Sequence, residues 1–124
     1  MRLLLDTHIL LWAMLDDPRL GTGLRMKIAG AEAILVSAAS VWEVSVKSGL
    51  GKLNVPADLF DRALAAGARS LPITWAHTRA AQGLPPHHAD PFDRLLIAQA
   101  QCEGLTLVSR DAKFTAYGIE LINN

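Results

Sequence analysis

Long apolar runs are missing from this sequence. Half of its 124 residues are hydrophobic (51%), yet the longest apolar pieces, such as HILLWAML, fall well short of the ~20 residues a membrane-spanning helix needs. A water-soluble chain is expected. A second cysteine is missing too, so Cys102 has no partner within the chain for a disulfide, and its setting, IAQAQC, reads as a small buried side chain on a helix. There is no excess of either charge, because 12 Lys and Arg balance 12 Asp and Glu. The strong positive field of many nucleic-acid binders is therefore excluded, and a polyanionic partner would need a local patch or a metal ion. No basic segment followed by an apolar stretch and a small-residue cleavage site opens the chain, since LLLD reaches an acid at position 6; a cytoplasmic protein is expected. Repeats, low-complexity tracts and Pro/Gly/Ser linkers are absent as well. With this length, one domain over residues 1–124 is the expectation, large enough to bury a core without disulfide or metal staples.

What is present is an alternation of short apolar runs with helical patterns. RLLLD (Arg2 to Asp6) reads as a buried strand, THILLWAML as the helix after it, and DDP (Asp16 to Pro18) as the turn that ends that helix. AILVS (Ala33 to Ser37) is a second strand, followed by the helix AASVWEVSVKSG with Gly49 as its stop. PADLFDRALAAG predicts a further helix, RSLPI a short strand, and TWAHTRAAQ a helix opening at Thr74. A long helix then runs from about Asp90 to Glu103, Gly104 stops it, and LTLVS and GIELI are strands. Strands this short, apolar on both faces and separated by helices imply a parallel sheet covered on each side, an α/β/α sandwich. In such sheets ligands gather beyond the carboxyl ends of the strands.

Several acids fall at that edge. Asp6 closes the first strand, and Asp111 follows the strand LTLVS; each also suits a helix N-cap. Asp90, Pro91 and Asp93 form a strong helix start, with Asp90 as N-cap, Pro91 at the first helical position and Asp93 at the third. Glu43 is harder to explain by capping. It lies in SVWEVSV among Val41, Trp42, Val44 and Val46, one or two turns into a helix that begins directly after a strand. A solvent-facing pair with Lys47 would contribute only about 0.3–0.5 kcal/mol. Of the 12 acidic residues, Asp6, Glu43, Asp90, Asp93 and Asp111 are best placed to reach the carboxyl edge. Like charges gathered there raise one another's pKa. A hard divalent cation with oxygen ligands, Mg²⁺ or Mn²⁺, relieves them, which suggests phosphodiester hydrolysis by a metal-activated water.

The same residues carry a family resemblance. LLLDTHILLW, SAASVWEVSVKSGLGKL, HHADPFDRLLIAQA and LVSRDAKFTAYGIELI resemble, in order and over residues 1 to about 122, the motifs of PIN-domain ribonucleases, specifically the VapC-type toxins of type II toxin–antitoxin pairs. The resemblance implies a PIN-like three-layer fold and a Mg²⁺- or Mn²⁺-dependent endoribonuclease leaving 5′-phosphate and 3′-hydroxyl ends. The acidic quartet would be Asp6, Glu43, Asp93 and Asp111. Asp6 and Asp93 would be the principal metal ligands, Glu43 and Asp111 direct or water-bridged, and Asp90 would keep the capping role. It further implies RNA as substrate, a homodimer, and a small cognate antitoxin of VapB type whose C-terminal segment would cover an apolar groove and place a basic side chain among the acids.

Other residues have weaker claims. Thr7 and Ser109 flank the acids and can orient a ligand or cap a helix; Arg94 and Arg110 can contact RNA phosphates or pair internally; Lys47 and Lys52 fit solvated surface better than an RNA path. His8, His87 and His88 lack the Cys/His spacing of a zinc site, although His87 and His88 precede the acids in a Pro-rich loop. Trp12, Trp42 and Trp75 occupy apolar helical positions, which predicts core or interface packing. Two competing functions remain: a catalytically silent PIN-like module that binds RNA or protein, and a phosphatase or phosphotransfer domain with Asp6 as nucleophile. The latter class usually needs a second acid two residues on, where this chain has His8.

Overall fold

A computed structural model describes residues 1–124. The first strand, β1 (Arg2–Leu5), shows why the sheet must be buried on both sides: Leu3 and Leu5 point into one core cluster and Leu4 into another, as the period of two requires. After it come α1 (Thr7–Met14), α2 (Thr22–Ala29), β2 (Ala33–Ser37), α3 (Ala38–Gly49), α4 (Leu59–Ala65), β3 (Arg69–Leu71), α5 (Trp75–Gln82), α6 (Pro91–Glu103), β4 (Thr106–Val108) and β5 (Leu121–Ile122). All pairings are parallel, in the order β3-β2-β1-β4-β5. One core layer joins Leu3, Leu5 and Val108 of the sheet to Ile9, Leu10, Leu24 and Ala63 of α1, α2 and α4. The other joins Leu4 and Leu107 to Ala39, Leu96, Ile97, Ala100 and Phe114. The architecture is the three-layer α/β/α sandwich with a short parallel sheet expected from the strand pattern.

β1 sits at the centre, and the chain leaves it on one side to β2 and on the other to β4. The crevice between the carboxyl ends of β1 and β4 is therefore the topological switch point, the position where such sheets bind ligands. Asp6 follows β1 and Asp111 follows β4, so both border it.

The structure departs from the pattern in places. Helix α2 was not marked by TGLRMKIA, because among its residues only Leu24 is fully buried and its N-cap is Gly21, with φ 82° and no side-chain cap. The helix expected from Pro56 starts at Leu59. The strand RSLPI ends at Leu71, because Pro72 has no N–H to continue the ladder. Cys102 is exposed rather than buried: the buried run of α6 is Leu96 to Ala100, and the last turn leaves the sheet. Trp42 and Trp75 are 62% and 81% exposed, so neither belongs to the core. Trp12 is half-buried, with the Arg19 guanidinium 5.1 Å from its ring.

Candidate active site

Asp6 is the N-cap of α1, its Oδ1 accepting from Ile9 N–H at 2.8 Å. It is 4% exposed. Burial raises its pKa, opposed by the Ser109 hydroxyl and the Ile9 N–H. Ser109 also accepts from Asp111 N–H at 3.0 Å, so one buried hydroxyl links the acids that follow β1 and β4.

Glu43 lies in the second turn of α3 and is 3% exposed. It is no solvent-facing pair: Oε1 accepts from the Thr7 hydroxyl at 2.7 Å and Oε2 from Lys47 Nζ. Thr7 Oγ1 also lies 3.0 Å from Ser40 Oγ, whose hydroxyl can donate in return. The bond to Glu43 raises the Lys47 pKa, with Asp90 and Asp93 adding to it. Lys47 is thus a built-in cation at the acidic edge.

Asp90 and Asp93 divide their work as the helix start implies. Asp90 Oδ1 accepts from Phe92 N–H and Asp93 N–H at 2.8 and 3.0 Å, capping α6. Asp93 makes no cap. Its carboxyl is pushed up to about 8, first by burial and then by the charges of Asp90, Asp6, Glu43 and Asp111. Five carboxylates therefore share one field, and the four predicted site residues Asp6, Glu43, Asp93 and Asp111 converge. Asp111 caps the 3-10 turn Ala112–Tyr117 through Lys113 N–H at 2.9 Å.

Sequence reasoning undervalued His88. Its buried ring brings Nε2 to 3.0 Å from Asp93 Oδ2 and 3.1 Å from Asp111 Oδ2. The signal was its place in HHADPFD, two and five residues before two acids, but a histidine in a loop has no periodicity to mark its direction. The loop is shaped by Arg94, which donates to the carbonyls of Ala81, Leu84, Pro85 and His88. Arg94 is thus committed to the fold. Arg110 donates to Leu20 O at 2.7 Å and, with Asp6, His8, Ile9, Trp12 and Asp111, lines a groove of about 330 Å³ beside the acids. His87 turns away and meets Tyr117 edge-on at 5.3 Å. Lys52 is exposed in the loop after α3.

The donor set fits a hard divalent cation. It is rich in carboxylate oxygen, without thiolate, and burial together with the neighbouring acids pushes the Asp93 carboxyl up to about 8.

Fold and site together define an α/β domain with an acidic cleft at the switch point of its parallel sheet. The chain belongs to the PIN-domain family, whose sequence model matches residues 3–120. It is 29% identical over 117 residues to "Ribonuclease VapC22" of Mycobacterium tuberculosis, covering 92% of this chain and 90% of that protein. Among solved structures it resembles Mycobacterium tuberculosis VapC20, described as a sarcin-ricin loop cleaving toxin, with a TM-score of 0.70, 19% identity and 98% of each chain covered. It also resembles VapBC2 from Rickettsia felis, solved bound to a promoter DNA fragment, with a TM-score of 0.69, 18% identity and 98% of each chain covered. These structural likenesses speak for the fold.

Proposed function

We propose that this PIN-domain protein is a divalent-metal-dependent endoribonuclease and the toxin of a toxin–antitoxin pair. The observation that carries the reading is the gathering of carboxylates at one edge of the sheet, where Asp93 and Asp111 meet at His88 and Asp93 is raised by burial and by the charges of Asp90, Asp6, Glu43 and Asp111; a divalent cation would offset that charge. The family membership and the likeness to a ribonuclease over 92% of the chain support the choice of RNA. Asp6, Glu43, Asp93 and Asp111 would hold Mg²⁺ or Mn²⁺. Bound there, the ion would lower the pKa of the attacking water and shield charge on the phosphate.

The chain's own residues prepare that site. The Thr7 hydroxyl orients Glu43, Ser109 ties Asp6 to the backbone of Asp111, and the Asp90 cap fixes the first turn of α6, from which Asp93 projects. Asp93 must release its proton to serve as a ligand, so metal affinity rises as pH approaches 8. The groove lined by His8, Trp12 and Arg110 would seat the RNA backbone beside the acids.

As partners we propose a small antitoxin, following similar structures solved as complexes, such as VapBC2 of Rickettsia felis and FitAcB of Neisseria gonorrhoeae, and, as the family resemblance implies, a second copy of the chain. No helix is long and apolar enough to cross a membrane. The test is cleavage of total RNA by the purified, antitoxin-free protein with Mg²⁺ or Mn²⁺, and its loss in EDTA. RNA binding without cleavage under every divalent-metal condition would replace the enzyme with a silent binding module.

A further inference from the structure

His88 joins two acids of the site, and two different roles account for its position. The donor atoms of His88, Asp93 and Asp111 all lie within 4.8 Å of one another, close enough for the imidazole to be a metal ligand beside the carboxylates. Alternatively, the ring positions the acids, its Nε2–H donating to Asp111 Oδ2 with Asp93 Oδ2 beside it. The other ring nitrogen separates these roles. Asp90 N–H donates to His88 Nδ1 at 3.3 Å, so Nδ1 carries the lone pair and the neutral ring has its proton on Nε2. Offering the Nε2 lone pair to an ion would move that proton to Nδ1, against the N–H of Asp90. That N–H cannot easily turn away, because Asp90 is the N-cap of α6 and its side chain is committed to Phe92 and Asp93.

The ring is held from other sides as well. It meets Phe114 edge-on at 5.5 Å between centroids. Its backbone N–H donates to the Tyr117 hydroxyl at 2.8 Å, and that hydroxyl donates to Pro85 O at 2.8 Å. With the ring 6% exposed, its direction is set by the fold.

We infer that His88 is a positioning residue which clamps Asp111 Oδ2 by donating Nε2–H to it, keeps Asp93 Oδ2 3.0 Å from the same nitrogen, and stays outside the metal's ligand set. The clamp braces two acids from different elements, the first turn of α6 and the turn after β4, against one buried ring. Hydrogen-bonded partners of this kind orient carboxylate ligands, and their loss typically weakens metal binding about 10- to 100-fold. The inference rests on the metal-dependent reading above.

Mn²⁺ is the probe. Its binding to wild type, His88→Ala and His88→Gln is measured by titration calorimetry, and the bound ion is examined by electron spin-echo spectroscopy for nitrogen coupling. Wild-type Mn²⁺ should lack the coupling of a directly bonded imidazole nitrogen. His88→Ala should weaken Mn²⁺ about 10- to 100-fold, and His88→Gln, whose amide N–H reaches the place of Nε2, should recover most of that loss. A directly bonded nitrogen in wild type would make His88 a ligand and overturn the clamp, and this spectrum requires no variant to fold. Unchanged affinity in folded His88→Ala would also overturn it. Failure of wild type to bind Mn²⁺ at all would remove the metal reading, and the clamp with it.

Discussion

His77 and His88 are held in the same way at the two ends of α6. Thr74 N–H donates to His77 Nδ1 at 3.0 Å, and His77 Nε2 lies 3.1 Å from Glu103 Oε2. Asp90 N–H donates to His88 Nδ1, and its Nε2 faces Asp93 and Asp111. Their surroundings differ. His77 ends a buried neutral chain in which the Ser37 hydroxyl meets Gln99 Oε1 and the Gln99 amide meets Pro72 O and His77 Nδ1, both at 3.3 Å. Its carboxylate partner, Glu103, is 44% exposed, so water shares the charge. His88 faces acids that are mutually repulsive, one of them held protonated to about pH 8. No buried side-chain polar atom in the chain lacks a partner. Hydrogen-bond satisfaction therefore does not distinguish the two regions; uncompensated like charge does, and such charge is what a functional site has reason to keep.

The largest effect should follow from breaking the charged region without disturbing its fold. Asp6→Asn keeps a good N-cap for α1 and removes a charge from the cleft. RNA cleavage should fall by about 10²–10³-fold or more, while thermal unfolding shows an intact protein. Cleavage by folded Asp6→Asn at the wild-type rate would remove Asp6 from the site.

The neutral region should answer in the opposite sense. His77→Ala leaves Gln99 and Thr74 N–H short of a partner and opens a cavity, a loss of about 2–3 kcal/mol in urea unfolding. Cleavage per folded molecule should stay within about twofold, since α6 still presents Asp93. A selective loss of activity at unchanged stability would mean that the two regions are one functional unit.

Both regions were unequally visible in the chain. The sheet was legible because RLLL is apolar at every position that faces either layer, and the quartet because acids followed strands or opened helices. Helix α2 was not, since few of its side chains enter the core. The burial of Glu43 was half legible: its pairing with Lys47 was readable from spacing, whereas its enclosure by Thr7 depends on α1 lying beside α3. His88 was hidden because its direction comes from Arg94, Tyr117 and Phe114, contacts made across 6 to 29 residues. Cys102 was misread because IAQAQC continues an apolar pattern past the point where α6 leaves the sheet.

The charged region also predicts a pH dependence that the neutral one lacks. In the metal-free protein Asp93 keeps its proton to about pH 8, against an ordinary value of 3.8. Between those limits the folded state holds more protons than the unfolded chain, so this residue's contribution makes stability fall as pH rises. Asp93→Asn keeps the side chain's size and an oxygen facing His88 and removes the charge. Unfolding in EDTA should show it about 1–2 kcal/mol more stable than wild type at pH 8.5, after allowance for partial solvation, and no different at pH 4. It should nonetheless be inactive. A constant difference across that range would mean that the acids do not interact as their arrangement implies.

The smallest effect tests whether α6 can be altered without touching either region. The helix carries Asp93 at one end and Gln99 and Glu103 toward the other, with Cys102 on its exposed last turn. Cys102 forms part of neither buried core layer. Cys102→Ser should therefore change stability by less than about 0.5 kcal/mol and leave cleavage unaltered, and the native thiol should react with iodoacetamide at nearly the rate of the unfolded chain. A protected thiol, or a loss of several kcal/mol, would place Cys102 in the core that its sequence context suggested and would couple the helix's outer face to the two polar regions it connects.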